Sequence, residues 1–248
     1  MKAGKSSMTG EPMKAGLFVW GASIGLLACS VAVAEPRVES SSYGARLTSL
    51  PLPVALESLP GVTREAITKV MKSPTITAVA PSEEFVSHSD MYQWLLDHPD
   101  RTSQAWRKLG VGAAEIKTLK DGRFIWRDEN GSEMVWQSVA RGPGGRIWYA
   151  EGKIKPAALS PSFPVTAVAV LNHSEKQRPD GDVTIKHQVE VFLTTDNKAA
   201  SLVAKVLGDS APKMAQQGAE QVQMFFSGIA KYTHDKPEKA ESLFAEKK

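Results

Sequence analysis

The chain has 248 residues, with 30 basic side chains, 27 acidic side chains and 42% hydrophobic residues. A chain of this length can bury one good core, so we expect one compact domain with an N-terminal extension. The basic residues are scattered rather than clustered, which argues against a nucleic-acid partner. Cys29 is the only cysteine, so an intrachain disulfide is excluded.

Residues 1–34 are predicted to be a bacterial-type signal peptide rather than part of the fold. Lys14 precedes an uncharged, largely apolar run from Gly16 to Ala34. The run ends in Ala32-Val33-Ala34, the small-x-small pattern of a signal-peptidase site. Met1 and Met13 both stand as candidate start residues. Cleavage after Ala34 predicts a periplasmic or secreted protein with a net charge of +1 and no cysteine.

Cys29 has a second interpretation. Leu26-Leu27-Ala28-Cys29 resembles the lipobox of bacterial lipoproteins, and lipidation of Cys29 would tether the protein to a membrane. The small residues before Glu35 favour cleavage after Ala34, in which case Cys29 is removed with the leader.

Residues 35–73 are predicted to form a linker and a short N-terminal helix. The linker is rich in serine and proline, and the helix runs from Thr63 to about Lys72. Thr75 to Ala80 predicts a first strand that ends at Pro81. Two short helices follow, divided at His98-Pro99-Asp100 and stopped by Gly110.

The middle of the chain predicts an antiparallel sheet. Four glycine dipeptides separate segments rich in Val, Ile, Trp and Thr, and such dipeptides favour tight hairpin turns because those turns need positive φ. These dipeptides are Asp121-Gly122, Asn130-Gly131, Gly144-Gly145 and Asp180-Gly181. The predicted strands are 113–119, 122–128, 133–140, 145–153, 165–172 and 182–193.

The last predicted strand alternates strictly between apolar and polar residues. Its apolar face runs from Val183 to Leu193 with His187 as the single polar member, and its other face carries Thr184, Lys186, Gln188 and Glu190. Such alternation is typical of a sheet with one buried and one solvated face.

The C-terminal region predicts a helix that starts near Asn197, is interrupted at Gly208, and continues to about Tyr232. Its second part has apolar residues mostly three and four positions apart, and a helix of about 22 residues spans about 33 Å. Residues 235–248 are predicted to be a charged, frayed C-terminal tail.

This order of elements is that of the helix-grip fold. Residues 74–234 therefore resemble a START-like (SRPBCC) domain, an α+β fold in which a curled antiparallel sheet wraps around a long C-terminal helix. The resemblance implies a hydrophobic cavity between the sheet and that helix, and activities such as lipid binding, hormone binding or cyclase chemistry. It also includes iron-dependent oxygenases, but the cleaved chain has no cysteine for a Rieske cluster.

The candidate ligand-binding residues come from the strands and the last helix. Trp126, Trp136 and Trp148 lie on three successive predicted strands and would form aromatic walls. Met214 and Phe225 on the last helix would close the cavity. The same residues also fit an ordinary core, and the volume between them distinguishes the two interpretations.

His187 is the candidate polar anchor in the cavity, or a general base. The alternative is a buried histidine that bonds to a neighbouring group or to water. No sequence motif indicates a metal site, a cofactor or a catalytic triad.

The leading hypothesis is an exported protein that binds an apolar small molecule or lipid. The second is a cyclase-like or hydratase-like enzyme with His187 as general base. The third is an accessory protein that docks a partner and carries no ligand.

Overall fold

The computed structural model describes residues 50–155, 161–196, 200–201 and 211–245. Eight antiparallel strands in this part of the chain form one sheet, in the order β1-β8-β7-β6-β5-β4-β3, with β2 also paired to β8. The strands are β1 Ile76–Val79, β2 Glu83–Ser87, β3 Ile116–Thr118, β4 Phe124–Arg127, β5 Glu133–Gly142, β6 Gly145–Ile154, β7 Phe163–Gln177 and β8 Val183–Thr195.

Five helices surround the sheet within the described residues. They are α1 Gly61–Lys72, α2 Ser89–Asp97, α3 Pro99–Lys108, α4 Ala211–Asp235 and α5 Pro237–Phe244. The predicted signal peptide lies outside the described residues. The predicted helical segment from Asn197 does too, apart from residues 200–201, which are helical.

The strand order confirms the predicted helix-grip architecture and the α+β class. β1 and β2 pair with the same strand, through Val79 opposite Glu190 and Glu83 opposite His187, so they are two halves of one first strand. That strand lies beside the last strand, and the meander continues from there to β3. The long helix α4 packs on β1, β2 and β8.

Pro81 interrupts the first strand rather than ending it. Proline lacks an amide hydrogen and cannot donate to a strand ladder, so pairing stops after Val79 and resumes at Glu83. The sequence prediction ended the strand at Pro81 and missed β2.

The glycine turns are confirmed. Gly122, Gly131 and Gly181 adopt φ values of 80°, 94° and 91°, and Gly110, at the end of α3, has a φ of 77°. These four positions use a backbone conformation that residues with a Cβ atom rarely adopt.

The prediction of one wet sheet face is wrong where the N-terminal segment and α1 cover the sheet. Leu56, Leu59 and the apolar side of α1 pack on the face opposite α4, over Ile147 and Phe192. Glu190, which was predicted to be solvated, is 2% exposed and accepts a hydrogen bond from the Leu50 amide. The segment that was predicted to be a linker therefore covers this face from Leu50 onward.

The prediction of a frayed end after Asp235 is also wrong. Helix α5 packs against α3 and α4, and Leu243 is 5% exposed. The Phe244 ring packs edge-on against Trp94 at 5.0 Å. The ordered domain therefore extends at least to Phe244.

Candidate functional site

Helix α4 defines the inner face of the sheet. The Trp148 ring on β6 stacks on Phe226 of α4 with ring centroids 5.6 Å apart and planes 9° apart. Side chains on the Trp148 side of each strand therefore face α4 and form the inner face. The opposite side is the outer face, under α1.

One row of apolar side chains on the inner face is left partly exposed. The row crosses five paired strands, through the pairs of Trp136 with Ala150, Ala150 with Ala167, Ala167 with Leu193 and Leu193 with Ile76. All five residues are partly exposed, and two of them, Ala150 and Ala167, have small side chains. We call this set the apolar row, and the space above it the inner hollow.

A few residues further along the same strands, the inner face of the sheet is fully covered. There Leu171 and Val189 face inward, and both are completely buried. The inner face thus has a closed end, toward α2 and α3, and a more open end at the apolar row.

Aromatic rings separate the two ends. Trp148 is 6% exposed, Phe225 is 8% exposed, and the Phe225 ring packs edge-on against Phe226 at 5.0 Å. The indole Nε1 of Trp106 on α3 donates a hydrogen bond of 2.9 Å to the Phe225 carbonyl, which fixes this part of α4. Trp148 and Phe225, two of the residues predicted to bind a ligand, thus lie in one buried cluster, and Trp136 packs against that cluster.

Helix α4 packs against different elements along its length. Near its N-terminal end Gly218 is exposed, whereas Ala219 is 1% exposed and packs with Ala78 and Ala80. Near its other end, a Cβ atom on Gly228 would lie 2.5 Å from Trp106 of α3. The helix is therefore in close contact with the first strand at Ala219 and with α3 at Gly228.

A buried hydrogen-bonded chain occupies the closed end. The Tyr92 hydroxyl lies 2.7 Å from His187 Nδ1, and His187 Nε2 lies 3.0 Å from Glu83 Oε2. Tyr92 and His187 are 0% and 1% exposed, whereas the Glu83 side chain is 31% exposed. We call these three residues the Tyr–His–Glu chain.

The proton positions in this chain follow from the acid at its end. The His187 hydrogen bond, helped by a 2.8 Å bond from Ser227, lowers the pKa of Glu83 despite its partial burial. An ionised Glu83 accepts the Nε2 proton of His187, so Nδ1 accepts the Tyr92 hydroxyl proton. Burial raises the pKa of Tyr92 well above its usual value, which keeps that proton in place.

A second set of hydrogen-bonded side chains, centred on Arg146, lies beside the Tyr–His–Glu chain. Arg146 on β6 is 6% exposed and donates to Asp97 at 3.1 Å and to Gln93 Oε1 at 3.0 Å. Gln93 in turn donates from Nε2 to His173 Nε2 at 2.6 Å. Burial lowers the pKa of His173, which lies opposite His187 in the sheet. Helix α2 is thus attached to the inner face by polar side chains.

The structure brings some of the predicted site residues together and separates others. Trp126 is on the inner face of β4 and is 2% exposed. His187 is six residues from Leu193 along β8, or about 20 Å in an extended strand. Met214 lies in α4, but its side chain is outside the described residues. The structure therefore groups Trp136, Trp148 and Phe225, and it places His187 at the closed end.

Tyr92 and Glu83 are the partners that the sequence interpretation missed. They lie 95 and 104 positions away from His187 in the chain. Tyr92 occupies a helical position among apolar residues, and Glu83 follows Pro81 in a polar stretch. Only the lone polar position of His187 on an apolar strand face indicated that some partner was needed.

Within the described ranges, no group of three or more His, Cys, Asp or Glu side chains is arranged to hold a metal ion. No helix in those ranges is both long and apolar enough to cross a bilayer.

No family model and no curated protein matches the chain. Among solved structures, a conserved protein from Geobacillus kaustophilus is similar at 11% identity and a TM-score of 0.43, over 64% of this chain and 97% of that one. A hypothetical protein from Helicobacter pylori is similar at 12% identity and a TM-score of 0.38, over 77% and 100%. Truncated norcoclaurine synthase from Thalictrum flavum is similar at 13% identity and a TM-score of 0.31, over 60% and 93%.

These likenesses carry no conclusion about activity. The helix-grip assignment rests on the strand order, on the split first strand beside β8, and on the position of α4.

Proposed function

We propose that this protein is an exported binding protein that holds an apolar small molecule or lipid in the inner hollow. The observation that carries the proposal is the apolar row, a cross-strand set of apolar residues that remains partly exposed on the inner face of the sheet. Folding normally buries such a face, because each square ångström of apolar surface removed from water contributes about 25 cal/mol. An apolar ligand would complete this burial.

The lining chemistry supports an apolar rather than a charged ligand. The row carries no titratable side chain, and Trp136 offers a large flat contact surface at its edge. The charged groups at the closed end of this face, the buried Arg146 and the partly exposed Glu83, are already bonded to protein groups. A ligand with an ionised group deep in the hollow would find no partner in the row.

Binding of a neutral fluorescent dye, N-phenyl-1-naphthylamine, tests the proposal on the purified chain. The dye should bind saturably, and Ala167→Leu should abolish binding because the larger side chain fills the middle of the row. Trp136→Ala should weaken binding about tenfold, since an aromatic contact and its buried area are lost. Ala245→Leu, at an exposed position beyond α5, is the matched control and should bind as the native chain does.

Two results would overturn the binding proposal. One is a folded protein with no saturable dye binding. The other is dye binding that Ala167→Leu and Ala245→Leu affect equally. If neither result is obtained, organic extraction of the protein from its native host, followed by mass spectrometry, would identify the natural ligand.

Export is supported by the uncharged run from Gly16 to Ala34 and by the small residues before Glu35. Mass spectrometry of the chain recovered outside the cytoplasm should give an N-terminus at Glu35. A lipid-modified N-terminus at Cys29 would instead establish a membrane-anchored form. Recovery of the intact chain from the cytoplasm alone would overturn export.

The enzymatic alternative uses His187 as general base. The Tyr–His–Glu chain favours it in one respect, because the hydrogen bond with Glu83 orients the imidazole. Against it, Tyr92 already occupies Nδ1 and is completely buried, so a substrate would have to displace that hydroxyl. The geometry therefore supports binding better than catalysis.

A further inference from the structure

A second cleft lies on the outer face of the sheet, separated from the inner hollow by the sheet itself. Its volume is about 400 Å³, within the range of small-molecule sites. Helix α1 forms one wall, and the ends of β7 and β8 form the other. The lining residues are Ala66, Lys69, Val70, Tyr149, Pro164, Thr166, Thr194, Thr195 and Asp196.

Two hydroxyl groups in this cleft have hydrogen-bonding capacity to spare. Thr194 Oγ1 is buried and has no hydrogen-bond partner among the described residues. The Tyr149 hydroxyl reaches Glu151 only at 3.5 Å, the outer limit of a hydrogen bond. Thr195, by contrast, already donates to the Pro164 carbonyl at 2.6 Å. A buried hydroxyl without a partner is unfavourable, so the cleft favours an occupant with acceptor oxygens.

One basic residue, Lys69, lines the same cleft. Lys69 is exposed on α1 and forms no ion pair within the described part of the chain. Partial burial raises the pKa of Tyr149, so its hydroxyl remains a donor at neutral pH. Asp196, which lines the cleft, and Glu151, 3.5 Å from the Tyr149 hydroxyl, add two negative charges, which disfavour ligands with several negative groups.

We propose that the outer cleft is a binding site for a small monocarboxylic acid with a compact apolar body. Its carboxylate accepts hydrogen bonds from Lys69, Thr194 and Tyr149, and its body packs against Val70 and Pro164. The site is independent of the inner hollow, because the two lie on opposite faces of the sheet.

Benzoate is a suitable probe, with benzamide as its uncharged counterpart of nearly equal shape. Backbone amide shifts in a ¹H–¹⁵N NMR titration of the chain should change at Thr166, Thr194 and Val70. Benzoate should bind in the millimolar range and benzamide several-fold more weakly. Higher ionic strength should weaken benzoate more than benzamide, since the contact with exposed Lys69 is screened.

Matched substitutions locate the contact. Thr194→Val keeps the shape and removes the hydroxyl, and it should weaken benzoate about three- to tenfold, the effect of one hydrogen bond. Lys69→Gln should weaken it a few-fold, since exposed ion pairs contribute little. Lys72→Gln, one turn further along α1 and not in the cleft, should have no effect.

Three results would overturn this proposal. They are the absence of a saturable shift, shifts confined to the apolar row, and equal affinity of the native, Thr194→Val and Lys69→Gln proteins. Because Trp136→Ala affects only the inner hollow, benzoate binding that survives in that variant separates the two sites.

Discussion

Replacing Tyr92 by phenylalanine tests the Tyr–His–Glu chain directly. The substitution removes one oxygen atom and leaves the ring in place, so no large cavity forms. His187 Nδ1, now 2.7 Å from a hydroxyl, would be left as a buried acceptor without that donor. An unsatisfied buried group costs about 1–3 kcal/mol, and we expect the free energy of unfolding to fall by that amount.

Urea denaturation, followed by both circular dichroism and tryptophan fluorescence, measures the change. If the slope of the unfolding free energy against urea concentration is unchanged, the shift in midpoint gives the loss of stability. Tyr149→Phe is the matched control, because its hydroxyl is partly exposed and only 3.5 Å from Glu151. It should change stability by no more than about 0.5 kcal/mol.

The pH dependence adds a second check on the same chain. The pKa of Glu83 is lowered in the folded protein, so its contribution is present above the unfolded pKa and is lost as pH falls through the folded pKa. The native chain should therefore keep this contribution at neutral pH and lose it as the pH falls below about 4, under the usual pKa of a glutamate. Equal stabilities of Tyr92→Phe and Tyr149→Phe would refute the reasoning.

Two further predictions concern packing and charge at the ends of α4. Gly228→Ala should destabilise the protein by about 1–3 kcal/mol, because the new Cβ atom would overlap Trp106. Gly218→Ala should instead stabilise it by about 0.4–1 kcal/mol, because the Cβ atom there meets no other atom. Calorimetry of both variants checks the opposite signs. Hydrogen bonds to Asp182 and Asp235 raise the pKa of His234, so its contribution is complete below the unfolded pKa and is lost as pH rises through the folded pKa. His234→Asn should therefore destabilise the protein at about pH 5.5 and have little effect at about pH 9, and the same loss at both pH values would contradict this assignment.

The local parts of the fold could be predicted from the sequence. Hairpin turns are encoded by adjacent residues, and Gly122, Gly131 and Gly181 have the positive φ that their dipeptides predicted. The alternation in β8 correctly placed Ile185 and Val189 on a buried face. Period and turn chemistry act over a few residues, which is why they are visible in one sequence.

The parts that depend on distant residues could not be predicted. Glu190 looked solvated because the sequence does not show that Leu50 and α1 return to cover the outer face. The strand after Pro81 was missed because its pairing with β8 is formed with residues about 100 positions away. The charged composition of α5 concealed Leu243, which is buried by α3 and α4 rather than by its own neighbours in the chain.

The same limit applies to the candidate site. The sequence predicted correctly that Trp136 and Trp148 share the inner face, because strand alternation determines the face of a side chain. It did not predict that this face has two ends of different character. The polar side chains of α2 close one end, because Tyr92 bonds to His187 and Gln93 accepts a hydrogen bond from Arg146 of β6, and this closure exists only once α2 is docked on the sheet.

The contrast between the two ends of the inner face is the strongest structural argument for a ligand. Ala150 and Ala167 lie between Trp136 and Leu193 in partly exposed positions, so the apolar row contains two small side chains next to each other. At the closed end of the same face, Leu171 and Val189 are completely buried. This contrast supports our proposal that a guest molecule occupies the space above the small side chains of the row.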